Sequence, residues 1–439
     1  MMEMMEMMEK FGNVTTSGGG GKKKTRLVPS PPPSFRDMGE HAGGRQGHLR
    51  GAGYNDPMNA ELSPVDVQDR LQAKWVQLQD ALATHFGYPV NADFDYSPLW
   101  RFLGLPLNNI GDPFTTSSYR INTHDFEREV VDLFSRLTHA PTNDVWGYVT
   151  NGGTEGNMYG MFLARELFPD GVVYYSEDTH YSVSKILRLL HIRNIMIKSR
   201  PDGAMDMEDL HETVRIHRDV PPIVFANIGT TMKGAIDDLR AIRAVFKDLA
   251  LHRHYVHADA ALSGMILPFV DDPPEWDFLA GIDSVAISGH KMIGSPIPCG
   301  VVLARRKHVD RIARNVEYVG SLDTTIPGSR NGLTPLILWF AWQQLGTEGF
   351  RQRIRHCLDM ADYALDRLRQ IGRNPWRHRH SITVVFERPS ARLAHRWQLA
   401  VQDDIAHIIT MPQTTRDMVD RFVAELAQDT MDPREDFRP

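Results

Sequence analysis

The sequence has only two cysteines, Cys299 and Cys357, in 439 residues. Neither cysteine lies in a Cys-X-X-Cys pair or in a Cys/His spacing that would suit a metal ion. The sequence therefore predicts no disulfide framework and no metal site. Such sparse cysteine usage is typical of a reducing compartment, and we expect a cytoplasmic protein.

Long apolar runs and basic stripes are also missing. No stretch of about 18 apolar residues occurs, and the N-terminus lacks the basic-then-apolar order of a secretory signal, so we expect neither a membrane span nor export. The net charge is -6, and outside Lys22-Lys23-Lys24 no basic run appears. Nucleic acid is therefore not an expected partner. Hydrophobic residues at 42% and charged residues at 24% are ordinary values for a globular protein.

Residues 1–60 differ in composition from the rest of the chain. They begin with a Met/Glu repeat and continue with four consecutive glycines, three lysines and three prolines. This composition predicts a disordered N-terminal tail. The alternatives are a short helix in the Met/Glu repeat and a contact of the lysine run with acidic lipid.

Residues 61–115 are predicted to form an N-terminal helical segment. Ser63 is a candidate N-cap in front of Pro64, a residue that is favoured in the first helical turn. We expect this amphipathic helix to pack on the main body or on a partner subunit. Its apolar residues recur every three or four positions, at Leu71, Trp75, Leu78 and Leu82.

Residues 116–325 alternate between short β-rich apolar runs and helical segments. This alternation predicts a large domain with a mostly parallel sheet covered by helices. Residues 326–439 are predicted to form a smaller α/β domain, with long helices from Thr334, a strand over 381–386 and a final helix. In the large domain, candidate helices cover 182–190, 206–217 and 237–250, and candidate strands cover 172–175, 195–197, 223–226, 255–258, 284–287 and 301–304.

Polar residues follow several of these strands, where parallel α/β folds place their ligand sites. Gly152, Gly153 and Thr154 directly precede a helical run, so backbone N–H groups and a hydroxyl could bind an anion there. A plain tight turn explains the same sequence. His180 follows another strand and could stack on an aromatic cofactor ring, although a capping or core histidine is the alternative.

Two further strands end in residues of opposite charge. Asp259 follows an apolar strand, and a carboxylate buried there needs a cationic partner such as a protonated pyridine nitrogen. A buried salt bridge or a helix cap is the alternative for Asp259. Lys291 follows the strand over 284–287, where a lowered pKa would let it form an imine with an aldehyde. The 32 residues from Asp259 to Lys291 suffice for a passage that returns both to one sheet edge.

These stretches together closely resemble the group II pyridoxal-phosphate decarboxylases. The resemblance covers roughly 70–430 and is strongest to the histidine decarboxylases of bacteria; plant serine decarboxylases and actinobacterial valine, leucine and methionine decarboxylases are similar too. It implies the aspartate-aminotransferase-like fold type I, with a seven-stranded, mostly parallel sheet in the large domain. The motifs are Asn-Gly-Gly-Thr-Glu-Gly-Asn at 151–157, Asp-Thr-His-Tyr-Ser at 178–182, His-Ala-Asp-Ala-Ala at 257–261, Ser-Gly-His-Lys-Met at 288–292 and Gly-Ser-Arg-Asn-Gly at 328–332.

The resemblance implies pyridoxal 5'-phosphate as cofactor and a role for each matching residue. Lys291 would bind the cofactor as an imine, Asp259 would pair with the pyridine nitrogen, and His180 would stack on the ring. Tyr318, before a mobile loop over 318–329, and Lys291 are candidate acids for protonating the α-carbon; a tyrosine packed at a domain joint is the alternative for Tyr318. The remaining cofactor-binding candidates are Gly153, Thr154, Thr230, Ala261, Ser288, His290, Ser329 and, as a weaker candidate, Arg330.

The implied reaction converts an L-amino acid to its amine and carbon dioxide, with L-histidine as the leading substrate. Leu333 stands where histidine decarboxylases usually have a histidine, and the sequence around Leu322 is also less polar than theirs. A decarboxylase of valine, leucine or methionine is therefore an alternative. Another pyridoxal-phosphate enzyme, such as an aminotransferase or lyase, and a catalytically silent scaffold protein are further alternatives. The resemblance also implies a homodimer with a shared active site.

Overall fold

The computed structural model of the protein describes residues 64–116, 118–141, 143–312, 314–316 and 321–429, of which 64, 314–316, 321 and 322 are described by their backbone alone. The predicted tail over 1–60 and Tyr318 lie outside these residues. The chain divides into two compact units, Met1–Val67 and Gln68–Pro439. The elements from the 3₁₀ helix at Ser97–Gly104 onward all belong to the second unit.

Strands and helices alternate along most of the described chain. The helices are α1 (Pro64–Leu82), α2 (His124–Leu137), α3 (Gly153–Leu167), α4 (Ser182–Leu189), α5 (Met207–Ile216), α6 (Leu239–Asp248), α7 (Arg306–Val309), α8 (Leu333–Gln370), α9 (Ala391–Arg396) and α10 (Arg416–Ala427). The strands are β1 (Asn108–Asn109), β2 (Val145–Thr150), β3 (Val172–Ser176), β4 (Asn194–Ile197), β5 (Pro222–Asn227), β6 (Tyr255–Asp259), β7 (Ser284–Ser288), β8 (Gly300–Arg305), β9 (Arg314–Val316), β10 (Ser321–Asp323), β11 (Arg330–Asn331), β12 (Thr383–Glu387), β13 (Ala400–Gln402) and β14 (Ile405–Ile409).

A seven-stranded sheet in the order β2-β8-β7-β6-β5-β3-β4 forms the centre of the second unit. Only β8 runs antiparallel to its neighbours, β2 and β7. The connection from β7 to β8 contains no helix, so it cannot make the crossover that a parallel pair needs. The prediction of a mostly parallel, seven-stranded sheet is confirmed.

Both faces of this sheet are covered, and strand β5 shows this directly. Its successive residues alternate between two buried clusters: Val224 and Ala226 join one, whereas Ile223 and Phe225 join the other. A strand that is buried on both faces must be apolar throughout, which explains why β5 was identifiable from sequence. Strand β2 was not among the predicted strands; its Gly147 is required because a Cβ there would lie 2.3 Å from the carbonyl oxygen of Val302.

A second, antiparallel sheet in the order β12-β14-β13 has its own buried core. Helices α8 and α10 pack against this sheet, with Val384, Phe386 and Phe422 among the buried residues. Helix α8 is interrupted at Gly346, whose φ of 58° no regular helix contains. The predicted long helices, strand and final helix are all present. The predicted domain boundary at residue 325 stays a prediction.

Candidate active site

The carboxyl ends of the parallel strands open into one cleft. A segment near the N-terminus, at 87–89, and residues of the small sheet complete its wall. Nine residues predicted from sequence line the cleft together: Gly153, Thr154, His180, Thr230, Asp259, Ala261, Ser288, His290 and Lys291.

Glycines make the turn before α3 narrow enough to cradle a small anion. Gly152 has a φ of 142°, which L-residues with side chains rarely adopt. A Cβ on Gly153 would lie 2.8 Å from the hydroxyl oxygen of Ser288, so any side chain there would close the gap between α3 and β7. The first turn of α3 directs backbone N–H groups and the side chain of Thr154 towards this gap, which suits a phosphate group.

Asp259 stands at the end of β6 and is only 8% exposed. Its Oδ1 accepts a hydrogen bond from the backbone N–H of Ala261 at 3.1 Å, and its Oδ2 accepts one from Asn157 Nδ2 at 2.8 Å. Among the described residues, no side chain forms an ion pair with Asp259. A buried carboxylate that no described side chain pairs with directly favours binding of a positively charged group from a ligand.

Lys291 lies on the floor of the cleft. Burial lowers the pKa of the Lys291 amine below its usual value, although the nearby Asp259 carboxylate opposes this shift. A larger fraction of neutral amine, which is the nucleophilic form, follows from the lower pKa. Lys291 can therefore react with an aldehyde while Asp259 holds a cation on the same ligand.

Two histidines in the cleft have lowered pKa values, and burial is the main cause in both. Burial lowers the pKa of His180, an effect that the Lys291 charge reinforces and the Asp259 charge opposes. His180 Nδ1 lies 2.8 Å from the hydroxyl of Ser182. Burial also lowers the pKa of His290, whose Nδ1 lies 2.8 Å from the carbonyl oxygen and 3.3 Å from the backbone nitrogen of Cys299.

Thr230 belongs to a tight turn after β5. Its Oγ1 accepts a hydrogen bond from the backbone N–H of Ala235 at 3.0 Å, which leaves the hydroxyl hydrogen available to the cleft. Gly229 before it has a φ of 109°, and a Cβ there would lie 2.3 Å from the Ser263 hydroxyl. The turn thus packs directly on the segment that follows Asp259.

Ser329 does not line the cleft of its own chain. It is exposed and accepts a hydrogen bond from Asn108 Nδ2 at 3.1 Å. Arg330 is buried in an ion pair with Glu127 at 2.9 Å, so its guanidinium also faces away from this cleft. The predicted contact of Ser329 with the cofactor stays a prediction, and it requires the cleft of another subunit. Tyr318 lies outside the described residues.

Several cleft residues were missed in the sequence. Asn157 lies one helical turn after Gly153, a spacing that places both on the same face of α3 and could have identified it. Tyr88 and His407 come from distant segments of the chain, and no local pattern marks them. Only tertiary folding brings them to the strand ends.

The described residues contain no group of three or more histidine, cysteine, aspartate or glutamate side chains that could hold a metal ion. Within the same part of the chain, each helix is either too short or too polar to cross a bilayer. Both cysteines are free and buried.

Residues 107–387 match the family model described as the pyridoxal-dependent decarboxylase conserved domain. The histidine decarboxylase of Morganella morganii is 51% identical over 348 residues, which are 79% of this chain and 92% of that protein. The histidine decarboxylase of Mesorhizobium japonicum is 46% identical, with 83% of this chain and 99% of that protein covered. Among solved structures, L-methionine decarboxylase from Streptomyces sp. 590 has a TM-score of 0.78 at 28% identity and covers 84% of this chain and 96% of its own.

Proposed function

Because the chain belongs to the pyridoxal-dependent decarboxylase family, we propose that it removes carbon dioxide from L-histidine and forms histamine. The chain is a carboxy-lyase that uses pyridoxal phosphate. The observation that carries the choice of histidine is the identity of 46–51% to histidine decarboxylases over nearly their whole length. The solved methionine decarboxylase is only 28% identical.

Of the two positions that favour an apolar substrate, Leu333 does not line the cleft of this chain. Leu333 is half-buried at the start of α8 and packs against the main core. The side chain of Leu322 is not among those described. The residues that line the cleft near the small sheet are instead partly polar and include Ser381, Thr383 and His407. A polar wall suits an imidazole better than an aliphatic side chain.

The described residues fit pyridoxal phosphate. Gly153 and Ser288 leave a gap that a single Cβ would fill, as a phosphate cradle requires. Asp259 is a buried carboxylate without a cation, and a protonated pyridine nitrogen would supply one. His180 can lie against the ring, whereas Ala261 leaves room for it. Thr154, His290 and Thr230 are positioned around the same space.

Pyridoxal phosphate, when bound, supplies an electron sink for the electron pair that remains on the α-carbon after carbon dioxide departs. Lys291 Nζ would hold the cofactor aldehyde covalently and yield to the substrate amine. Asp259 would keep the proton on the ring nitrogen. None of the described residues lining the cleft is an arginine.

The α-carbon must receive a proton after carbon dioxide has left. Lys291 Nζ is a described group that can deliver one, because an amine released from the cofactor stays beside the reacting carbon. Tyr318 stays the second predicted donor. The two proposals separate by the effect of Tyr318→Phe, which should leave the rate of amine formation unchanged if Lys291 is the donor.

We also propose that the active form is a homodimer and that it is located in the cytoplasm. Helix α1 exposes Leu71 and Trp75 by 60% each, and the 3₁₀ helix exposes Trp100 by 65%. Exposed apolar residues in such number favour burial against another protein surface. Ser329 does not line the cleft of its own chain. We therefore propose that the partner is a second copy of the chain and that Ser329 completes the cleft of that copy.

A screen of the proteinogenic amino acids tests the proposed substrate. We expect histamine and carbon dioxide from L-histidine, with kcat/KM at least about tenfold above any other amino acid, because a polar site rejects substrates that leave its groups unpaired. Release of amine from methionine or leucine instead would identify an apolar-substrate enzyme. A keto acid product would indicate transamination. A protein that gains no visible absorption with pyridoxal phosphate would contradict the cofactor assignment itself.

A further inference from the structure

Five buried polar side chains form a continuous hydrogen-bonded chain behind the cleft floor. Tyr255 OH lies 2.8 Å from Ser284 Oγ, and Ser284 Oγ lies 2.7 Å from His257 Nδ1. His257 Nε2 is 2.9 Å from Asn157 Oδ1, and Asn157 Nδ2 is 2.8 Å from Asp259 Oδ2. His257, Ser284 and Tyr255 are wholly buried, so the bonds among these three side chains are closed to bulk water.

The ionised carboxylate of Asp259 determines the direction of every bond in this chain. A carboxylate can only accept, so the Asn157 amide must present its N–H to Asp259 and its oxygen to His257. An amide oxygen also only accepts, so His257 must carry its hydrogen on Nε2.

The bonds on the far side of the imidazole follow in the same way. His257 Nδ1 is left with a lone pair, which accepts the hydroxyl hydrogen of Ser284. The Ser284 oxygen then accepts from Tyr255. All donors therefore point along the chain towards Asp259.

The imidazole of His257 is confined as well as bonded. A Cβ on Gly160 of α3 would lie 2.2 Å from Nδ1, so the ring occupies the space that a side chain on α3 would need. The ring of Phe225 lies 5.1 Å away, centroid to centroid. Burial lowers the pKa of His257 to about 3, and the ring stays neutral at physiological pH. A neutral imidazole that cannot rotate adopts a single tautomer and a single orientation.

We propose that His257 is a positioning residue: through Asn157 it fixes the rotation of the Asp259 carboxylate, so that its free lone pairs face the cofactor ring nitrogen. This inference rests on the proposed role of Asp259. His257 touches neither substrate nor cofactor in this scheme. A neutral chain of dipoles orients the carboxylate without neutralising the charge that the ring nitrogen needs.

The tautomer can be measured directly. Nitrogen NMR of the holoenzyme labelled at histidine, assigned by comparison with His257→Gln, should show a neutral His257 with its hydrogen on Nε2. The signal should not change with pH across the range in which the enzyme is active. A hydrogen on Nδ1, or a titration in that range, would overturn the proposal, and this readout does not depend on activity.

Substituting His257 by asparagine or by glutamine tests separately the hydrogen bonds on the two sides of its ring. His257→Asn places its amide near the position of Nδ1 and keeps the Ser284 contact, but it cannot reach Asn157. His257→Gln reaches the position of Nε2 and can still donate to Asn157. We expect His257→Asn to raise the dissociation constant of pyridoxal phosphate about tenfold to hundredfold and to lower kcat with little change in KM, and His257→Gln to restore most of both.

The measurements are equilibrium dialysis of the cofactor and steady-state kinetics, with thermal unfolding to confirm that both variants are folded. Equal cofactor affinity in His257→Asn and the unchanged protein would refute the positioning role. Asp259→Asn separates the role of His257 from the role of Asp259. If Asp259→Asn loses affinity and His257→Asn does not, only the role of His257 fails; if Asp259→Asn also keeps full affinity, the proposed function of Asp259 fails. If neither His257 variant folds, Ser284→Ala, which removes the hydroxyl bonded to His257 Nδ1, identifies the His257 signal by its shift, and the tautomer measured in the unchanged holoenzyme decides.

Discussion

At the scale of single residues, the environment of Lys291 decides its chemistry. Most lysines remain charged because water stabilises the ammonium group, and a charged amine is not a nucleophile. Burial in the cleft lowers the pKa of Lys291, while the Asp259 carboxylate holds that shift within limits. The cleft therefore keeps an amine that can lose its proton close to a carboxylate.

Replacing Lys291 should abolish covalent attachment of the cofactor. In Lys291→Ala, we expect the visible absorption of the lysine-linked cofactor to disappear and the rate of carbon dioxide release to fall by about three orders of magnitude or more. Absorption spectroscopy and an assay of released carbon dioxide measure the two effects.

Lys291→Arg is the matched variant, because it keeps the positive charge and length but cannot form an imine. It should be as inactive as Lys291→Ala. The exposed Lys307 serves as the control position, since Lys307→Ala should change neither quantity. Wild-type turnover in Lys291→Ala would show that another residue binds the cofactor.

At the scale of elements, a short ribbon of β1 and β11 positions the segment that carries Ser329. Asn109 of β1 pairs with Arg330 of β11. Beneath the ribbon, the buried Glu127 carboxylate accepts hydrogen bonds from Arg330 Nη2, from Asn109 Nδ2 and from the backbone N–H of Val149. One carboxylate thus connects α2, β2 and both strands of the ribbon.

Breaking the Glu127–Arg330 pair should be costly. Arg330→Met leaves a buried carboxylate without its cation, and we expect the free energy of unfolding to fall by about 3–5 kcal/mol. The double variant Glu127→Gln, Arg330→Met removes the uncompensated charge and should recover part of that loss, as urea unfolding would measure.

A surface ion pair serves as the control for the variants of Glu127 and Arg330. Arg240 pairs with Glu275 at 2.8 Å, but its side chain is 78% exposed, so Arg240→Met should leave the unfolding midpoint unchanged. A double variant that is no more stable than Arg330→Met would mean that shape, and not charge, holds the ribbon in place.

At the scale of the whole molecule, apolar side chains outside the core require an explanation. Leu71, Trp75 and Leu78 lie on one side of α1 and are more than half exposed. The 3₁₀ helix exposes Leu103 by 67% as well. Burial of these side chains between two copies of the chain would remove them from water.

Charged residues on the apolar side of α1 should dissociate the proposed dimer. For Leu71→Asp combined with Trp75→Asp, we expect the dimer dissociation constant to rise about 100-fold or more, because two buried anchors are replaced by carboxylates. Sedimentation velocity measures the mass, and activity should fall with the dimer fraction.

Ala73→Glu is the control. It also introduces a carboxylate, but Ala73 lies on the opposite side of the same helix. It should leave the mass and the activity unchanged. A fully active monomer in the unchanged protein would contradict both the dimer and the shared site.

The elements that sequence reasoning identified are those with strong local signals. Strands β3, β5, β6 and β7 are apolar because both their faces are buried, and that pattern is visible without the fold. Strand β2 was missed because Gly147 interrupts its pattern, and the glycine is needed only because of the close approach of Val302. Signals that depend on a distant neighbour are invisible in a local window.

The sequence by itself determined the chemistry proposed for the candidate site: Lys291, Asp259 and His180 each follow a predicted strand, and parallel strands must deliver their ends to one edge. Tertiary structure alone decided which neutral groups surround them. Asn157 orients Asp259 only because His257, Ser284 and Tyr255, which lie on other elements, are buried within hydrogen-bonding distance of one another. The two-residue spacing of Tyr255, His257 and Asp259 places them on one face of β6, but their hydrogen bonds to α3 and β7 depend on how the elements pack, which no spacing along the chain encodes.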